Sequence, residues 1–272
     1  MKAQVFLDPK PYIFFLLINK LEQRKKIYFA SDFHLGAPNH EQSLIREKII
    51  LKWLNQVKHD AQEIILLGDI FDFWFEYKHV VPKGFVRLLS AIAQLQEKGI
   101  NISVFTGNHD IWMFDYLEKE LGVKVYRKPE VRTYHNKRFY IAHGDGLGPG
   151  DYSFKIIKRL FTSKICQRLF RLVHPDLGIS LALSWSKHSR KQNIKSGIVE
   201  FQGEENEYLV QFAKSKIQEE HFDYFVFGHR HLKLEIPIGE NSTYYNIGDW
   251  LSNFSYGVFD GENFQVKNYE AQ

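Results

Sequence analysis

The chain has 272 residues, 44% of them hydrophobic and 15% aromatic, with a formal net charge of +4. That is enough apolar sequence to bury a substantial core in one large domain. A single cysteine, Cys166, excludes an internal disulfide framework and fits a reducing compartment.

Residues 12–18 form an apolar run flanked by basic sequence. It is too short for a bilayer span of about 20 residues, and no small-residue cleavage site marks it as a signal peptide. Residues 1–25 are therefore expected to form an N-terminal arm. The domain proper is expected over 26–272.

From residue 26 onward, short apolar runs alternate with helical patterns. A strand at 27–30 ends at Ser31-Asp32-Phe33-His34-Leu35-Gly36. Ile50, Trp53, Leu54 and Val57 recur at the spacing of a core-facing helix. A second strand at 64–67 ends at Gly68-Asp69. Phe85, Leu88, Leu89, Ile92 and Leu95 predict another helix, stopped by Gly99. A third strand at 102–105 ends at Gly107-Asn108-His109-Asp110. Three times a strand delivers a polar cluster at its carboxyl end. Such units favour a parallel sheet, which binds ligands at that edge.

Further on, 131–135 and 138–142 read as a hairpin ending at His143-Gly144-Asp145. Residues 224–227 lead into Gly228-His229-Arg230-His231, and 232–236, 243–245 and 256–259 read as further strands. The expected fold is a two-sheet α/β sandwich of αββα type.

Residues 149–203 differ. They hold no strand-like run, and their apolar spacing predicts three short helices. Between 155 and 195 stand ten Lys or Arg and one acid, Asp176, a local net of +9 against +4 for the whole chain, so the rest is net negative. A basic, apolar, helical cap over the polar clusters would suit an anionic amphiphile. A solvated basic face on packing helices explains the charge equally well.

The clusters carry donor chemistry. Asp32 and His34 alternate and can point the same way, the Asp69 carboxylate has two oxygens with which to bridge two cations, and Asn108 adds an amide oxygen. His143, His229 and His231 add imidazoles. Seven oxygen and nitrogen donors without a thiolate suit Mn, Fe, Zn or Co better than Mg or Ca. The remaining histidines, at 40, 59, 79, 135, 174, 188 and 221, lack such settings and are expected on the surface.

Taken as a set, Asp32-x-His34, Gly68-Asp69, Gly107-Asn108-His109-Asp110, His143-Gly144-Asp145 and Gly228-His229-x-His231 resemble the five blocks of the calcineurin-like metallophosphoesterases. The resemblance implies one metal held by Asp32, His34, Asp69 and His231, and a second sharing Asp69 and adding Asn108, His143 and His229. Ser31-Asp32-Phe33-His34-Leu35-Gly36, Gly68-Asp69-Ile70-Phe71-Asp72-Phe73-Trp74, His143-Gly144-Asp145-Gly146-Leu147 and a helical insertion after Asp151 resemble, more narrowly, the UDP-2,3-diacylglucosamine diphosphatases of lipid A synthesis. That group splits a pyrophosphate into UMP and 2,3-diacylglucosamine 1-phosphate, usually with manganese. It commonly carries arginine where this chain has His109.

Several expectations follow. Two divalent ions, manganese first, would activate water. His109, oriented by Asp72, would act on the leaving group, while Asn108, His109, Asp151, Lys187 and Arg190 would contact a UDP-linked diacylglucosamine. The protein would be cytoplasmic and peripheral on the inner face of the membrane, with neither nucleic acid nor an obligate protein partner. The competing readings are a general phosphatase or phosphodiesterase acting on a nucleotide or phosphoprotein, and a nuclease.

Overall fold

The computed structural model describes residues 24–150, 152–195 and 200–270. The expected N-terminal arm, save Arg24 and Lys25, and Asp151 lie outside them. Eleven strands form two sheets among the described residues. In the first, β1 (Lys26–Ala30), β2 (Ala61–Leu66), β3 (Asn101–Phe105) and β4 (Lys124–Tyr126) run parallel in that order. The antiparallel β10 (Ser255–Phe259) and β11 (Phe264–Asn268) extend the β1 edge. In the second, β6 (Lys137–Ala142), β7 (Tyr224–Phe227) and β9 (Ser242–Ile247) are parallel. They are flanked by antiparallel β5 (Glu130–Tyr134) and β8 (Lys233–Ile238). Pro237 is tolerated in β8 because that strand is an edge.

Strand alternation builds the layers. Ile27, Phe29, Ile65, Leu67 and Phe105 point inward from the first sheet and meet Phe139, Ile141, Val226, Tyr245 and Ile247 from the second. Their neighbours Tyr28, Ala30, Ile64, Leu66, Ile102 and Val104 point the other way. There they pack under the apolar faces of α1 (His40–Val57), α2 (Val86–Glu97) and α3 (Tyr116–Leu121). The outer face of the second sheet is closed by Leu209, Val210 and Ala213 of α7 (Tyr208–Lys216) against Tyr140, Phe225, Phe227 and Tyr244. The result is the expected αββα sandwich. Because both faces of the central strands are covered, those strands read as continuous apolar runs.

Between β6 and α7 run α4 (Tyr152–Phe161), α5 (Lys164–Phe170) and α6 (Pro175–Lys195). Three helices were expected here, but α6 has 21 residues and is not short. A sequence stripe of Leu177, Leu181 and Trp185 marks only its first half. An aromatic pad seats this segment on the sandwich: Phe170 packs against Phe73, Phe75, Tyr77 and Trp112, and the Trp112 indole donates to the Phe161 carbonyl at 2.8 Å. Gly178 of α6 fits here because a Cβ would come within 2.7 Å of the Tyr77 hydroxyl.

Candidate metal centre and active site

The carboxyl ends of β1, β2, β3, β6 and β7 converge, and the five polar clusters meet at one bay. His231 Nε2 lies 3.3 Å from Asp32 Oδ1 and 3.3 Å from His34 Nε2. Asp69 Oδ2 lies 3.6 Å from His34 Nε2 on one side and 3.4 Å from His143 Nε2 on the other. Asn108 Oδ1 is 3.4 Å from His143 Nε2, and the donor atoms of Asp69, His143 and His229 form one compact group. Asp69 thus stands between two donor sets. All seven candidate ligands are in the bay, whereas the other seven histidines are exposed.

The backbone supports the same picture. Asp32, His34, Asp69, His229 and His231 all have φ between +42° and +68°. Left-handed backbone costs a non-glycine residue about 1–3 kcal/mol. Five such residues in one bay point to geometry held for function. Each is held by cross-links between loops: the His34 amide donates to Asp69 O at 2.9 Å, and the His229 amide to Asp32 Oδ2 at 2.9 Å.

Three supporting residues escaped the sequence reading. The buried Arg46 of α1 donates to the carbonyls of Phe33, His34 and Ala37, tying down the Asp32–His34 loop. Asp110 accepts the amides of Gly107 at 2.7 Å and Ile70 at 2.8 Å, joining the second and third clusters. Asp249 accepts the Nδ1 proton of His231 at 2.9 Å, as the Leu67 carbonyl accepts that of His143 at 2.6 Å. In both histidines this leaves Nε2 to face the bay, the arrangement that orients metal-binding imidazoles. Asp110 belonged to a quoted cluster and could have been found. Arg46 and Asp249 lack such a motif.

The donors fit divalent cations. Ligands about 2.1 Å from one ion stand about 3.0–3.4 Å apart, close to the spacings above. Asp32 Oδ1 is buried yet accepts no hydrogen bond. Burial pushes the His34 imidazolium down, but the Asp32, Asp72 and Asp69 carboxylates outweigh it and hold the ring up at about 10. Burial is likewise outweighed at His143, held up at about 10 mainly by Asp69. The carboxylates therefore call for positive charge, which bound cations would supply in place of protons. Burial, reinforced by the His143 charge, holds His229 down at about 4, so this ring is neutral at pH 7 as a ligand must be.

Beside the bay, His109 Nδ1 lies 3.0 Å from the Asp72 carbonyl and 3.1 Å from Ser186 Oγ. A carbonyl only accepts, so the ring proton sits on Nδ1. Arg190, expected at the substrate, pairs with the Asp72 carboxylate. Lys187 is exposed on α6.

The sequence profile of the calcineurin-like phosphoesterases matches residues 25–233. The chain belongs to the calcineurin-like phosphoesterases. Membership in this family implies divalent metal ions, in agreement with the donor set. Among curated relatives, a Porphyromonas gingivalis protein named UDP-2,3-diacylglucosamine hydrolase is 36% identical over 258 residues, covering 91% of this chain and 98% of its own. Proteins of the same name from Haemophilus influenzae and Hahella chejuensis are 24% and 23% identical, covering 85% and 90% of this chain and 93% and 97% of theirs.

In this calcineurin-like phosphoesterase the clusters tolerate no added bulk. A Cβ on Gly228 would overlap Ser31 Oγ and come within 2.6 Å of Asp32 Oδ2. Gly228→Ala is expected to lose about 1–3 kcal/mol of stability, the usual cost of overpacking, and to weaken metal retention by displacing Asp32. Denaturant melts and metal analysis of the purified variant measure both. Unchanged values would show that the bay has slack.

Proposed function

We propose that the protein hydrolyses UDP-2,3-diacylglucosamine to UMP and 2,3-diacylglucosamine 1-phosphate, a step of lipid A biosynthesis. The observation that supports this reading best is the extent of the Porphyromonas likeness. At 91% of the chain it must include the α4–α6 segment as well as the metal clusters. Among the described residues that segment carries nine of the fourteen exposed large hydrophobic side chains, including Ile156, Ile165, Leu172, Leu181 and Trp185. Interspersed with its ten basic residues, they favour a cap, spanning about 149–203, that takes acyl chains and anionic oxygens together.

In this reading Asp32, His34, Asp69 and His231 hold one ion, and Asp69, Asn108, His143 and His229 the other. Manganese is the first choice, with iron, zinc or cobalt as alternatives. Bound there, the two cations supply Lewis acidity that lowers the pKa of water and neutralises charge on phosphoryl oxygens. The protein does the rest. Arg46, Asp110 and Asp249 keep the loops from shifting as charge develops, so little reorganisation is needed during reaction. In its imidazolium form His109, with Nδ1–H held by the Asp72 carbonyl, also carries a proton on Nε2 that it can donate to the departing phosphate oxygen. Water adds across one P–O bond, and no covalent enzyme intermediate forms.

The cap's apolar and basic surface also supports a peripheral position on the inner face of the cytoplasmic membrane. No helix among the described residues is long and apolar enough to cross it. A direct test incubates manganese-loaded protein with UDP-2,3-diacylglucosamine, bis-p-nitrophenyl phosphate or single-stranded DNA. UMP release from the first, with DNA intact, is the expected result. Cleavage of the ester or DNA without UMP release would replace the reading with a general phosphodiesterase or a nuclease.

A further inference from the structure

Helix α6 is largely exposed, yet it buries one hydroxyl. Ser186 is only 6% exposed. Its O–H donates to Asp72 Oδ1 at 2.9 Å, and its oxygen lies 3.1 Å from His109 Nδ1. Arg190, one turn on, donates to the Asp72 carboxylate and to Ser186 Oγ, the latter at 2.5 Å. Asp72 itself is 2% exposed and stands 3.4 Å from His34 Nδ1. A helix belonging to the cap therefore reaches through the metal-proximal loops and completes the hydrogen-bonding around the His109 imidazole.

We infer that Ser186 is a positioning residue that sets the orientation and tautomer of His109, with Arg190 holding Ser186 and Asp72 in register, so that the imidazole is ordered only when the cap is seated. The inference rests on the role given to His109 above.

The chemistry is specific. His109 Nδ1–H has two acceptors, the Asp72 carbonyl and Ser186 Oγ. The Ser186 hydroxyl can accept from the ring because its own proton is committed to the Asp72 carboxylate, which only accepts when ionised. Rotating the ring by half a turn would place a carbon against both acceptors and forfeit both interactions. Without Ser186 the carbonyl would be the single acceptor left, too little to hold the ring in one orientation and tautomer. The aromatic pad at Phe170 and Gly178 and the polar contact at Ser186 seat α6 at two points, so cap docking and His109 order become one event. A substrate whose acyl chains settle under the cap would find the imidazole already set. An undocked cap would leave it loose, protecting against idle hydrolysis of smaller phosphates.

The test uses the full chain in two measurements. Long-range 1H–15N spectra of the metal-free protein report the His109 tautomer. The wild type is expected to show the Nδ1-protonated form, Ser186→Ala a mixture of tautomers, and Ser186→Thr the wild-type pattern. An unchanged Ser186→Ala spectrum would overturn the inference. In the manganese-loaded enzyme, Ser186→Ala is expected to lower kcat for UDP-2,3-diacylglucosamine about tenfold, the lower end of the range for groups that orient site residues, with KM within about twofold. In a His109→Ala background the same change should have almost no further effect, because residues that act as a unit are non-additive. A raised KM with unchanged kcat, or fully additive losses, would make Ser186 a substrate contact instead. Absence of UMP release by the wild type would count against the proposed substrate alone, since the spectra decide the Ser186 question without it.

Discussion

Asp69→Ala is expected to lose metal and activity together. Its Oδ2 is close to both histidine sets, 3.6 Å from His34 Nε2 and 3.4 Å from His143 Nε2, so its removal takes a donor from both candidate ions at once. Its Oδ1 accepts the His109 amide at 2.8 Å, so the loop carrying Asn108 and His109 loses an anchor as well. Charge works in the same direction. With Asp69 gone, the bay keeps its imidazoles but loses a central anion that draws cations in. A cation's contribution to stabilising phosphoryl charge is several kcal/mol, and at about 1.4 kcal/mol per tenfold this predicts a fall in kcat/KM on the order of 10³-fold or more. Metal analysis and UMP release measure the two effects on one preparation, and a denaturant melt shows whether the sandwich is intact. The mutated side chain is small and lies on a loop beyond β2, outside the apolar layers, so the fold should survive. A variant that stays fully loaded and active would sink the two-ion reading.

The donor set was legible in sequence because each member sits within four residues of the end of an apolar run. An observer who finds the runs finds the clusters. Asp32 follows β1, Asp69 follows β2, Asn108 follows β3 and His229 follows β7. The same covering of both sheet faces that made Ile64-Ile65-Leu66-Leu67 unbroken made the strand recognisable. Elements without such a run were missed. β4 has three residues, β11 alternates a buried Phe264 with exposed neighbours, and α7 shows its buried face only in Leu209, Val210 and Ala213. The supporting residues were illegible for another reason. Arg46 addresses backbone carbonyls, which exist at every position, and Asp249 meets His231 only because β9 returns beside β7. The path of α6 carries Arg190, expected at the substrate, to Asp72, a residue 118 positions earlier. Long-range returns of this kind leave no spacing to read.

His109→Ala separates chemistry from metal retention. The imidazole is absent from both donor sets that share Asp69, and the Asn108 amide remains to the ions, so metal content should match the wild type. Turnover should fall about 10²–10³-fold, within the range for a lost general acid, with KM nearly unchanged because in the proposed reading the acyl chains are held by the cap, away from this ring. The replacement that distinguishes mechanisms is His109→Arg. A guanidinium keeps its proton at any pH the enzyme meets, so it can stabilise charge on the departing phosphate but cannot hand over a proton. If His109 acts chiefly by electrostatics, His109→Arg should recover much of the activity that His109→Ala lost. Should it protonate the leaving oxygen, arginine will recover little. The leaving group favours recovery: a phosphate anion departs without needing a proton as strongly as an alkoxide does, so charge neutralisation carries more of the work than proton transfer. Substantial rescue by arginine, measured as kcat on metal-matched preparations, is therefore the expected result, and it would explain how one site can run the same reaction with either side chain.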